Sequence, residues 1–126
     1  MFFQKKPTEA EIRQQQALHT SFATLQAMVN HCPTIEFTPQ GVILDASPSF
    51  LALVGYRADE IIGQHHRILC QNEYVQSADY AQLWGDLAAG TPRNGRFQRK
   101  KKDGTSVWIE ATYIPVVENG GVTRIF

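Results

Sequence analysis

The side chains with the widest chemical range cluster near the middle of the chain. His65 and His66 are adjacent, Cys70 follows, and Tyr74, Tyr80 and Trp84 come next. An imidazole titrates near neutrality, so either histidine could ligate haem iron or share a proton with a bound molecule, although each reads first as a structural or surface histidine. Trp84 could stack on or edge against a planar group, or simply fill core. Cys32 and Cys70 form neither a CxxC pair nor a metal-ligand cluster and read as reduced thiols. Glu110 lies in a strand-like stretch near Trp108 and Tyr113, but one carboxylate without a positioned partner specifies no reaction and reads as solvent-facing. The sequence contains no G-x-S-x-G turn, phosphate-cradling glycine loop, H-E-x-x-H pair or EF-hand loop. Enzymatic chemistry is therefore not expected.

Charge excludes further classes. Twelve basic residues balance twelve acidic ones, so no global field draws the chain to nucleic acid or an anionic membrane. The one dense basic run, Arg99 to Lys102, leads into Asp103-Gly104 and is expected to be a solvated hairpin tip. No apolar stretch approaches the roughly 20 residues that span a bilayer. Met1 to Lys6 lacks the apolar centre of a secretion signal, which points to the cytoplasm. At 126 residues and 43% hydrophobic content there is room for one core.

The elements that must position these residues follow from spacing. Thr8 and Glu11 form a T-x-x-E capping box, and Pro33 stops the helix near Asn30 or His31. Along that helix Leu18, Phe22, Leu25 and Val29 form an apolar stripe with polar flanks, predicting a helix-mediated homodimer. Thr34 to Phe37 and Gly41 to Leu44 read as a hairpin. Ser47-Pro48 caps a short helix ended by Gly55, and Ala58 to Ile62 forms one more turn closed by Gly63. Gln64 to Gln76 reads as short turns. A better helix runs from Ser77 to about Ala89 with Tyr80, Leu83, Trp84 and Leu87 on one face. The remainder is a meander, Gly95 to Lys102, Thr105 to Val116 and Val122 to Phe126, with turns at Asp103-Gly104 and Asn119-Gly120-Gly121. Apolar residues on both faces of the middle strand require both faces to be covered. The division is an amphipathic helix over residues 1–33 and an α+β domain over 34–126.

From Thr34 onward this order resembles the PAS superfamily. The residues that carry the likeness include Phe37-Thr38-Pro39-Gln40-Gly41, Val54-Gly55-Tyr56 and Glu60-Ile61-Ile62-Gly63. His65-His66-Arg67, Trp84, Gly95, Phe97, Arg99, Lys102-Asp103-Gly104, Trp108 and Tyr113 are similar to PAS domains of soluble bacterial chemotaxis transducers of the biofilm-dispersion type, and more distantly to the aerotaxis receptor. The resemblance implies a five-stranded antiparallel sheet with central helices on one face. It implies a cytoplasmic sensory module that binds a small ligand or a redox or gas-sensing cofactor and relays its state to a chemotaxis signalling domain. That domain is absent here, and the stop at Phe126 inside an apparent strand fits a piece of a longer protein. The implied pocket has Tyr80, Leu83, Trp84 and Leu87 as one wall and strand residues such as Ile109 as the other, with His65 and His66 at its rim. FAD is the implied cofactor, ahead of haem. The alternative is a ligand-free PAS domain acting in dimerisation and protein interaction. Two positions depart from the pattern: Ser47 stands where asparagine is usual, and Cys70-Gln71-Asn72-Glu73-Tyr74 replaces the His-Pro-Asp segment of the aerotaxis receptor. Cys70 also lacks the Asn-Cys-Arg-Phe-Leu-Gln setting of blue-light PAS domains, which argues against photochemistry.

Overall fold

The computed structural model describes residues 5–126; Met1 to Gln4, part of the stretch read above as lacking a secretion signal, lie outside them. The chain divides into two units, one holding the first helix and the other running from Cys32 to Phe126. Helix α1 spans Glu9–His31. Its start is the expected box: Thr8 N–H donates to Glu11 Oε2 at 2.9 Å, and Glu11 N–H donates to Thr8 Oγ1 at 3.1 Å. No residue of α1 is buried. Among the described residues, no helix is long and apolar enough to cross a membrane.

In the second unit β1 (Ile35–Phe37) and β2 (Ile43–Ala46) pair antiparallel. Strand β2 starts later than expected because Gly41 and Val42 are used elsewhere. Gly41 closes the turn from Thr38, and its carbonyl accepts from His66 N–H at 2.8 Å, while Val42 bridges to His65. Gly41 sits at φ +91°, and a Cβ there would lie 2.7 Å from His65 Nε2, so only glycine lets the turn approach the histidine pair. Helix α2 (Pro48–Val54) is capped by Ser47, whose hydroxyl accepts from Phe50 N–H at 3.3 Å and Thr34 N–H at 2.8 Å. One serine thus ties the chain's entry into β1 to the first central helix.

Short elements follow: α3 (Ala58–Ile61), a 3-10 helix (His66–Leu69) and α4 (Asn72–Val75). Helix α5 (Ala78–Ala88) is capped by Ser77 and buries Tyr80, Leu83 and Leu87, the face that its three- and four-residue spacing predicts. Strands β3 (Arg93–Lys100) and β4 (Ser106–Tyr113) pair in continuous register from Arg93↔Tyr113 to Lys100↔Ser106. Asp103 Oδ1 locks their turn by accepting from both the N–H and the hydroxyl of Thr105.

The long middle strand of the expected meander is two strands, β4 and β5 (Pro115–Glu118). At Ile114 the chain leaves β3 for β6 (Gly121–Ile125): Ile114 and Phe126 exchange backbone hydrogen bonds at 2.7 and 2.8 Å, and Pro115 then faces Ile125. The sheet is therefore antiparallel throughout, with ladder order β2-β1-β6-β5 and the hairpin β3-β4 joined to it through Ile114. Strand β6 lies between β1, through Phe37↔Ile125, and β5.

Phe37, Ile43, Val54, Ile61, Leu83, Leu87 and Ile125 fill the core between sheet and helices. The other face of β4 differs from expectation. Trp108 is 60% exposed, touched by the Arg96 guanidinium 5.9 Å above its ring, and Ile114 is also exposed. Within this unit the helices cover one sheet face, because every short helix lies in the single crossover between β2 and β3.

Gly41→Ala is expected to lower stability by about 1–3 kcal/mol, combining positive-φ strain with the clash on His65. Denaturant midpoints of the two proteins check this, and unchanged midpoints would contradict the close-approach argument.

Candidate functional site

A pocket beneath β4 lies beside the end of β6, where Phe126 pairs with Ile114. Phe50 and Leu53 of α2, Leu69 of the 3-10 helix and Ile109 of β4 supply apolar wall, while His66, Arg99 and Tyr113 supply polar groups. Each polar group arrives by simple periodicity. Alternation on β4 turns Val107, Ile109, Ala111 and Tyr113 inward and leaves Trp108, Glu110 and Thr112 exposed. The same alternation on β3 puts Phe97 and Arg99 on the inner side. The extended residue His65 flips consecutive side chains apart, so His65 stays half-exposed while His66 is buried.

His66 is the centre of a hydrogen-bonded chain. Arg99 Nη2 donates to the Tyr113 hydroxyl at 2.8 Å, Tyr113 meets His66 Nε2 at 3.1 Å, and His66 Nδ1 meets the Tyr80 hydroxyl at 3.1 Å. Burial, then the positive charge of Arg99, then that of His65 hold the His66 pKa well below its ordinary 6.5, so the ring is neutral near pH 7. Proton placement follows from the bonding pattern. A guanidinium only donates, so Tyr113 accepts from Arg99 and directs its own proton to Nε2; the His66 proton then sits on Nδ1 and points to Tyr80. Burial raises the pKa of both tyrosines, so both hydroxyls keep their protons. The chain Arg99, Tyr113, His66, Tyr80 runs from sheet to α5 with every group in its required state.

The rings around His66 fix its plane. Phe37 and Trp84 meet it edge-on at 5.2 Å, and Tyr80 stacks at 5.7 Å. Cys70 Sγ lies 3.6 Å from His66 Nδ1, and burial pushes its thiol up to about 11, which makes it a poor nucleophile at neutral pH. Cys32 is an exposed free cysteine.

Of the seven side chains expected at the pocket, His66 and Ile109 line this cavity. Leu83 and Leu87 are fully buried core, Tyr80 ends the hydrogen-bond chain, and Trp84 packs edge-on to Phe37. The indole N–H of Trp84 is buried without a partner. His65 has both ring nitrogens engaged, Nε2 with the Gln40 carbonyl and Nδ1 with Arg67 N–H. With His66 equally engaged, neither imidazole presents a free nitrogen to iron, so the residues do not fit haem.

Arg99 is the residue that sequence reasoning misplaced. Expected on a solvated hairpin tip, it is 3% exposed, because the turn begins two residues later and strand alternation directs Arg99 inward. Its guanidinium lies 4.9 Å from the Phe97 ring and 5.5 Å from the Tyr74 ring. The shared face of Phe97 and Arg99, two residues apart, was the available signal. Lys102, by contrast, stays half-exposed and pairs with Glu60 at 2.5 Å.

The PAS fold family matches residues 43–126. The chain belongs to the PAS fold family. This PAS chain is 47% identical over 87 residues to the biofilm dispersion protein BdlA of Pseudomonas aeruginosa, a match covering 69% of the chain and 21% of that relative. It is 29% identical over 84 residues to the aerotaxis receptor of Escherichia coli, covering 67% of the chain and 16% of the receptor. The match thus spans about a fifth or less of either relative. Among solved structures, a domain of a sensory box sensor histidine kinase/response regulator from Geobacter sulfurreducens superposes with TM-score 0.71 at 19% identity, covering 86% of this chain and 94% of that one. An RNA-binding light-oxygen-voltage receptor superposes with TM-score 0.73 at 25% identity, covering 98% and 35% respectively.

The depressed His66 pKa has a stability consequence with a definite sign. Below pH 6.5 the unfolded chain binds a proton at His66 that the folded chain refuses, so stability is complete above that pH and falls as pH drops. The slope difference between wild type and His66→Gln should approach one proton, roughly 1.4 kcal/mol per pH unit. Denaturant unfolding between pH 7.5 and 5 measures it; equal slopes would show that His66 charges readily in the folded state.

Proposed function

We propose that this PAS domain is the sensory module of a chemotaxis-type transducer, binding a small ligand or cofactor and passing its state to an output domain. The observation that carries the reading is the buried chain Arg99, Tyr113, His66, Tyr80, which begins on β3 and ends on α5. A ligand that alters Tyr113 or His66 changes the registry between sheet and helix, and only its differential affinity for the two arrangements can drive the shift. Kinship with a biofilm dispersion protein and an aerotaxis receptor supports the signalling context.

FAD is the cofactor this reading favours, and the absorbance of freshly purified protein tests it: a flavin spectrum that persists after gel filtration supports FAD, while a colourless protein that takes up no added FAD leaves the ligand-free association module in its place. In a full-length transducer carrying this domain, Tyr113→Phe and Trp84→Ala are expected to shift signalling output while the domain stays folded by circular dichroism. Wild-type output from a folded Tyr113→Phe protein would remove the relay from the mechanism.

We further propose that α1 associates with α1 of a second copy. Leu18 is 65% exposed, Phe22 60% and Leu25 44%, with Val29 continuing the stripe at half-exposure. Leaving large apolar side chains in water forgoes roughly 1.5–3 kcal/mol each. Sedimentation should show a dimer that Leu18→Gln with Leu25→Gln converts to monomer; a wild-type monomer at high concentration would end the dimer proposal.

A further inference from the structure

The direction of each hydrogen bond in the buried chain is set from one end. Arg99 donates from Nη2 to the Tyr113 hydroxyl at 2.8 Å, and a guanidinium has no lone pair with which to accept. Among the described residues the other partner of that hydroxyl is His66 Nε2, at 3.1 Å. If Tyr113 accepted from the imidazole as well, its own proton would be left without an acceptor among them. Tyr113 therefore gives its proton to Nε2, and the ring proton stands on Nδ1, 3.1 Å from the Tyr80 hydroxyl on α5. Cys70 supports the same placement independently. Its Sγ lies 3.6 Å from Nδ1 and 3.9 Å from the His66 carbonyl. Burial keeps the thiol protonated, and a carbonyl only accepts, so the thiol proton goes to the carbonyl and the sulfur faces Nδ1 as an acceptor.

Without the Arg99 bond that constraint disappears. The Tyr113 hydroxyl is then free to turn and accept from Nε2–H, which leaves Nδ1 bare to accept from the Tyr80 hydroxyl. The two arrangements hold the same three protons, one each on Tyr113, His66 and Tyr80. The ring proton leaves Nδ1, one returns at Nε2, and both hydroxyls rotate. No heavy atom has to move, yet Tyr80 changes from acceptor to donor on the buried face of α5. We infer that Arg99 is a positioning residue that sets the tautomer of His66 through Tyr113, so that one bond on β3 decides whether Tyr80 on α5 accepts or donates. The meaning of this switch for signalling rests on the relay proposed above, whereas the tautomer itself is a property of the chain alone.

Nitrogen-15 NMR of the 126-residue chain, histidine-labelled and held at about pH 8 so that the ring is neutral, separates protonated from bare ring nitrogens. The chain has four histidines, and the His66 signals are those missing from His66→Gln. Wild type should show Nδ1–H over Nε2–H by at least about tenfold, the ratio expected of one hydrogen bond to a charged donor. Arg99→Met, which keeps the side chain's length without its donors, should raise Nε2–H to a readily detected share. Cys70→Ala should keep the wild-type pattern, because the sulfur follows the tautomer and does not set it. Nε2–H dominant in the wild type, or Nδ1–H undiminished in a folded Arg99→Met protein, would overturn the assignment. Loss of Nδ1–H in Cys70→Ala would overturn it too, by passing control to the thiol, and that variant decides should Arg99→Met fold poorly. Wild-type output from a full-length Tyr113→Phe transducer, by contrast, would end the relay and leave the tautomer result standing.

Discussion

A neutral imidazole has to sit at the meeting point of sheet and helices, and much of the second unit is arranged to keep it there. His66 donates with one nitrogen and accepts with the other, toward Tyr80 on α5 and Tyr113 on β4. A protonated ring would donate from both nitrogens beside an unpaired Arg99 charge, so the geometry works only while the imidazole is neutral. The backbone serves the same end. Gly41 brings its carbonyl to His66 N–H, and the Val42↔His65 bridge anchors the 3-10 helix to the sheet. Phe37 and Trp84 then close over the ring edges.

A hydrogen-bonded chain inside an apolar core has few alternative states. Each partner is already committed, so a change at one end leaves a buried polar group of the chain without its bond. Coupling free energies of about 1–3 kcal/mol are typical between linked sites, comparable to one hydrogen bond to a charged group. In the proposed relay, a single altered contact at Arg99 or Tyr113 is of the size needed to bias α5.

The two units solve different problems. The unit from Cys32 to Phe126 buries its apolar residues internally between sheet and helices. Helix α1 is held by its own capping box and intrahelical bonds while its apolar stripe stays exposed. A long helix with that pattern gains most of its stability from what its apolar face meets, which is why the stripe bears on assembly.

Local chemistry was legible in the chain wherever short-range geometry decides the outcome. The Thr8 and Glu11 box, the Ser47 and Ser77 caps, the Asp103-Gly104 turn and the buried face of α5 all follow from contacts within about four residues, and the PAS order follows from stringing them together. The break of the long strand at Ile114 was not legible, because its cause is a distant partner: Ile114 pairs with Phe126 instead of continuing on β3. Trp84 and Arg99 show the same limit in opposite directions. Trp84 packs partly buried against Phe37 and His66, contacts its own helix could not reveal, while Arg99 looked like a solvated tip and lies buried. The sequence by itself determined the elements, their order and which face of each is apolar, since those depend on residues close along the chain. Only the tertiary structure decided which polar groups share a buried point, because Arg99, Tyr113, His66 and Tyr80 come from four separate elements and meet only once the sheet and helices have packed.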